Sequence, residues 1–154
     1  MGVSLCSRGF KRNESSDSWD EIRVKGGDPF DCSLKDWTAV TTGDGNFSRV
    51  AQLTESGTPA ELKKFFKSES SESDDYSYAW TTIKKLQSID FDKTMVRDIR
   101  SLKDWHILEE TLGFDKTISL AQPITLRELL GDNFIHSIAL WENAGAELLV
   151  FYSY

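Results

Sequence analysis

The chain has 154 residues, 39% of them hydrophobic, and its 25 acidic and 18 basic residues leave a net charge of −7 at pH 7. That is enough apolar material for one folded domain and too much for a disordered chain. The negative balance opposes nucleic-acid phosphates, no apolar run is long enough to span a bilayer, and two cysteines are too few for a disulfide framework.

In chain order, residues 1–18 read as a flexible tail, because "KRNESSDS" is polar, aperiodic and changes sign within eight residues. The opening "MGVSLCSRGF" turns polar too early for a secretory leader, so Cys6 and Cys32 are expected as free thiols in a reducing compartment. Order is expected from Trp19, where "WDEIRVK" alternates as an amphipathic strand would, until "GGDP" breaks it. "WTAVTTGDGNFSRVAQL" has the composition of a hairpin, two β-formers' runs around Gly43-Asp44-Gly45-Asn46. "TPAEL" opens a helix, with Thr58 as cap and Pro59 in the first position, that should bury Leu62, Phe65 and Phe66. "SESSESDD" over 68–75 is an exposed loop.

In "YSYAWTTIKKL", Tyr76, Trp80 and Ile83 recur at helical spacing, although Thr81 and Thr82 also permit a strand. Leu102, Trp105, Leu108 and Leu112 predict a helix ending at Gly113, and "TISLA" a short strand. Thr125 and Glu128 form a capping-box pattern in "TLREL", with Gly131 as the stop. The end of the chain, "FIHSIALW-ENAG-AELLVFYSY", suggests a second hairpin. The expected fold is α+β: one domain over 19–154, a mostly antiparallel sheet with two hairpins, three to four short helices, and a disordered tail over 1–18. Two echoes, "SLKDW" at 33–37 and 101–105 and "FDKT" at 91–94 and 114–117, raise the idea of internal duplication.

The chemistry-bearing pattern lies at the start. Gly2, exposed once methionine is removed, and Cys6 resemble the dually acylated N-termini of membrane-tethered eukaryotic and viral proteins, although Ser or Thr is usual at the sixth position. The resemblance implies a myristoyl group on Gly2 and a palmitoyl group on Cys6, with Arg8, Lys11 and Arg12 against anionic lipid, since one acyl chain alone binds only marginally. "GDGNF" over 43–47 resembles the "GDGNC" turn of OTU-type deubiquitinating proteases, but Phe47 stands in place of the nucleophile and has no thiolate to attack with. His106 and His136 read as partly buried structural residues, and no cluster has metal-ligand spacing. Ser18 and Ser71 each have an acid three residues on and are candidate phosphorylation sites whose added charge would loosen a lipid-anchored tail.

No catalytic residue, metal or cofactor is expected. The leading expectation is a non-enzymatic protein that binds another protein while held at the cytoplasmic face of a membrane, as an adaptor, effector or viral matrix-like component. The alternative is a soluble acidic inhibitor or immunity-type protein that neutralises a basic enzyme such as a nuclease. Neither reading involves nucleic acid.

Overall fold

The computed structural model describes residues 5–30, 53–66 and 78–153. Its strands are β1 (Leu5–Asn13), β2 (Ser18–Ile22), β3 (Glu55–Ser56), β4 (Tyr78–Thr82), β5 (Met95–Val96), β6 (Ile124–Thr125) and β7 (Leu148–Ser153). Five of them form one sheet in the order β2-β1-β7-β4-β3, every neighbouring pair antiparallel, and β5 pairs with β6 in a small second ladder. The helices are α1 (Ile83–Gln87), α2 (Trp105–Leu112), α3 (Phe114–Ile118), α4 (Leu126–Leu130) and α5 (Asp132–Ala144), with 3-10 segments at Ala60–Phe66 and Ile99–Ser101. The α+β class and the antiparallel sheet are as the sequence predicts.

The central strand β7 is buried on both faces, which is why its sequence is a continuous apolar run rather than an alternation. Leu149 and Phe151 face one core, with Trp141, Phe134 and Ile138 of α5 and Leu86 of α1. Leu148 and Val150 face a second core on the other side, where the 3-10 segment at 60–66 inserts Leu62 and Phe66 beside Phe10 and Tyr78. Leu62 and Phe66 are buried as expected, and Phe65 half-buried. The capping box is present as predicted: Glu128 N–H donates to Thr125 Oγ1 and Thr125 N–H to Glu128 Oε1, each at 3.1 Å, and Gly131 follows α4.

Three expectations are corrected and one open alternative is decided. Residues 5–18 are no free tail: β1 pairs with β7 over 5–10 and with β2 over 9–13, and its Phe10 is fully buried. The strand was hidden because its positions facing α5 are Ser7 and Gly9, which carry almost no apolar signal. The ordered domain therefore takes in Leu5 onward rather than starting at Trp19. The C-terminal hairpin is instead helix α5 followed by β7: Phe134, Ser137, Ile138 and Trp141 are buried at helical spacing, and Gly145, at φ 97°, supplies the left-handed C-cap. "TISLA" straddles the end of α3, where Thr117 Oγ1 donates to the Gly113 carbonyl at 2.7 Å. The run after Tyr76 is strand β4, and Thr82 then caps α1 through Lys85 N–H at 3.0 Å.

The "FDKT" echo is not a structural repeat: its first copy is a turn and its second lies in α3. The first "SLKDW", residues 37–52 of the expected hairpin with its "GDGNF" motif, and the expected 68–75 loop lie outside the described residues.

One contact sets the distance between helix and sheet. A Cβ placed on Gly9 would come within 2.3 Å of the Trp141 ring, so the indole lies on bare backbone. Gly9→Ala is expected to destabilise the protein by about 1–3 kcal/mol through overpacking. In the Gly9→Ala background, Trp141→Phe should cost less than it does in the parent chain, a non-additivity that denaturant unfolding of the four proteins measures. Additive costs would remove this contact from its role.

Candidate functional site

The N-terminal half of β1 borders a cleft of about 610 Å³ lined by Cys6, Arg8, Glu21, Arg23, Asp28 and Tyr152 among others. Here β2 has already diverged, and an Asp28 carboxylate takes the place of the missing strand. Asp28 accepts from Ser7 N–H at 2.6 Å, from Ser7 Oγ at 2.6 Å and from Phe30 N–H at 2.9 Å. Trp141 Nε1 donates to the same Ser7 Oγ at 3.1 Å in a buried contact. Arg8 donates to both oxygens of Glu21, at 2.9 and 2.6 Å, and to the Phe65 carbonyl at 3.1 Å, and its guanidinium lies 4.4 Å from the Phe66 ring centre. Only 18% of the Arg8 side chain and 19% of that of Glu21 are exposed. Ser7 with Asp28 and Arg8 with Glu21 are thus bound to each other across the cleft, which makes this part of it a structural seam.

The residues singled out from sequence are dispersed over the molecule. Cys6 is half-buried in β1, in register with Tyr152. Arg8 is held in the seam, whereas Lys11 is exposed and Arg12 is exposed and paired with Asp17 at 2.7 Å, over the Trp19 ring. Ser18 opens β2 with its Oγ 2.6 Å from Ser16 Oγ. Gly2 and Ser71 lie outside the described residues. Both histidines are exposed rather than partly buried: His106 packs against Trp105 with ring centres 3.5 Å apart, and His136 borders a hollow of about 410 Å³ between α5 and Pro29. Among the described residues no group of acids, histidines and cysteines could hold a metal ion, and no helix is long and apolar enough to cross a membrane.

A different surface departs from ordinary folding rules. Helix α2 packs on α3 and on the 3-10 turn at 99–101, and none of its residues is fully buried. The expected apolar stripe exists but is not sealed: Leu102, Trp105 and Leu108 are half-buried and Leu112 is 41% exposed. Ile107, on the outer side, is 63% exposed, and Leu120, just past α3, is 55% exposed.

The helix also lacks the usual end devices. Its N-cap, Asp104, sits at φ 59° and makes no side-chain cap hydrogen bond. Its last turn carries no basic residue but holds Glu109 and Glu110, at the end where the backbone carbonyls already concentrate negative charge. Between Lys103 and Lys116 there are four carboxylates and no lysine or arginine.

Helix α4 is the contrast, with its capping box, three buried leucines and Arg127. Arg127 donates to Asp92 at 2.5 Å and to Asp132 at 2.9 Å, tying the preceding turn to the start of α5. That guanidinium holds the Asp92 carboxyl below its ordinary value of 3.8, chiefly by hydrogen bonding. The sequence signals for α2's exposure were present in the missing caps and in Ile107 lying off the apolar stripe. Nothing local marked Ser7, Asp28 or Trp141 as partners.

Ser7→Ala should cost about 1–3 kcal/mol, because it leaves the buried Trp141 N–H without its acceptor, read by denaturant unfolding. Asp92, whose folded pKa is depressed, adds stability above the ordinary carboxylate pKa that is lost as pH falls through the depressed value. NMR titration should find Asp92 returning toward 3.8 in Arg127→Met, and an unchanged curve would refute the pairing.

No family model matches this chain, and neither does any curated protein or solved structure, so its function rests on the geometry of these surfaces.

Proposed function

We propose that this chain is a non-enzymatic protein-binding protein whose acidic surface docks a basic partner, as an inhibitor or immunity-type protein that neutralises a basic enzyme would. The observation that carries this reading is the surplus of −7, of which the described residues carry −3 and the segments 31–52 and 67–77 the rest. Arg8, Arg12, Arg100 and Arg127 are each paired with a carboxylate, the Arg8 and Arg100 pairs part-buried and the other two exposed. A net negative field accelerates encounter with a positive surface.

The lipid-anchored reading through Gly2 and Cys6 has less support, because two of its parts, Cys6 and Arg8, belong to β1 and its seam. A lipid on Cys6 would have to be carried by a half-buried strand position beside Tyr152.

Immobilised full-length chain should retain, from extract of its source cells, a partner with a basic surface. Its association rate should fall steeply as ionic strength rises past the point where the screening length drops to roughly 8 Å. Capture that is indifferent to salt, or of acidic proteins only, would remove this reading.

A further inference from the structure

We infer that the outer edge of β2 is a docking surface whose occupant is the same edge of a second copy of this chain, paired antiparallel about Ile22. Such pairing goes beyond the acidic-partner reading and is independent of it. Strand β2 ends the five-stranded sheet, and β1 is its partner there. The Arg12 N–H points away from β2, to Glu147, so alternation along β1 turns the backbone of Gly9, Lys11 and Asn13 toward Ile22, Asp20 and Ser18. The N–H and C=O groups of Trp19 and Glu21 then face outward. Among the described residues neither these groups nor those of Arg23 meet a hydrogen-bond partner. Carboxylates close the comparable gaps in β1 at Ser7 and Arg12, whereas this edge is left open.

The side chains specify what can pair with it. Asp20 and Glu21 precede Ile22, and Arg23, Val24 and Lys25 follow it, so the stretch is acidic on one side of Ile22 and basic on the other. An antiparallel copy centred on Ile22 sets Glu21 opposite Arg23 of the other chain and Asp20 opposite Val24, with the two Ile22 side chains meeting at the two-fold axis. Glu21 and Arg23 both turn their backbone groups outward when extended, so each such pair can exchange both N–H···O bonds. Ile22 and Val24 are half-buried at the border of the core that holds Leu149 and Phe151. A two-fold axis normal to the sheet continues that apolar border into the second copy. Centring on Asp20 or on Glu21 instead sets that acid directly against its own copy, which is destabilising.

The charges nearby fit the same register. Arg23 is exposed and is, among the described residues, the one arginine without a hydrogen bond or ion pair, since Arg8, Arg12, Arg97, Arg100 and Arg127 are all engaged. Glu21 accepts one bond from Arg8 at each oxygen, which leaves lone pairs for a second donor. Residues 5–30 carry five basic and five acidic side chains, so the net charge of −7 is not concentrated at this edge.

The test is sedimentation of the full chain under reducing conditions over a range of concentration, with amide hydrogen exchange at both ends of that range. The chain should pass from monomer toward dimer between about 10 μM and about 1 mM, as suits a short edge-to-edge interface. At high concentration the Glu21 and Arg23 amides should gain protection, while those of Asp20 and Ile22, already turned to β1, should change little. Arg23→Glu should weaken dimerisation by about tenfold or more, because both symmetry-related pairs turn repulsive together, and Arg23→Lys should retain it. Both variants should keep the parent's thermal midpoint, since Arg23 ties no part of the described fold by hydrogen bond or ion pair. A chain that stays monomeric up to about 1 mM, leaving the edge to a strand of some other protein, would overturn the inference. So would a dimer indifferent to Arg23→Glu, or one in which Glu21 and Arg23 still exchange freely. Tighter dimerisation of Asp20→Asn would put Asp20 at the axis and overturn the Ile22 register.

Discussion

The close approach of Trp141 to Gly9 is the constraint on which most of the molecule depends. The indole has room only because the strand carries no side chain at that point, and it brings its N–H onto Ser7 two residues earlier. Ser7 in turn is bound through its hydroxyl and its backbone N–H to Asp28, and Asp28 also holds the N–H of Phe30. Phe30 is thereby set edge-on against Phe134 and Phe151, with ring centres 5.1 and 5.2 Å away. One glycine thus links helix α5, the first strand and the loop at 28–30, and the aromatic core closes around the result. Aromatic pairs of this geometry add to the area they bury, so an error at Gly9 would propagate into the core.

Strand β1 shows how the fold handles the places where a neighbour is missing. It needs two partners along its length, but β7 accompanies only residues 5–10 and β2 only 9–13. Where β2 has gone, Asp28 accepts the Ser7 N–H; where β7 has not yet begun, Glu147 accepts the Arg12 N–H at 2.6 Å. A backbone donor left unpaired in either position would weaken the strand or invite another chain to pair with it. Carboxylates close both gaps with charge-assisted bonds. Across the same strands Arg8 and Glu21 meet diagonally, which lets a long cation lie over the Phe66 ring without leaving a buried charge unbalanced. Part of the acidic composition therefore builds the fold.

What could be read from the sequence follows from where the determining forces are local. The capping box at Thr125 and Glu128, the 60–66 segment with Leu62 and Phe66 facing inward, and the strand character of the apolar run in β7 all have their causes within a few residues and are legible. Strand β1 was not, because its core-facing positions are small for a reason that lies 132 residues away, in Trp141. Helix α5 reads as a strand in the sequence although Phe134, Ser137, Ile138 and Trp141 carry its period, because an Asn-and-Gly turn signal beside an apolar run competes with it. The identical "FDKT" segments fold differently because Phe91 is buried in a turn held by Arg127, whereas Phe114 starts a helix. The lipidation pattern rests on side-chain types alone, and types alone did not reveal that Cys6 and Arg8 are strand residues.

Consistency among levels is what makes the exceptions informative. In α4 and α5, the pattern, the caps and the burial agree, and the chain specifies one structure there with little conflict. In α2 they disagree in several ways at once: an uncapped start in a left-handed residue, acids at the wrong end, apolar side chains turned outward. A fold that supplies carboxylates to the Ser7 and Arg12 N–H groups of β1 does not lack the means to cap one helix. The conflicts in α2 therefore mark a segment held by its packing on α3 and the 99–101 turn rather than by its own ends, whereas α4 carries its causes within itself.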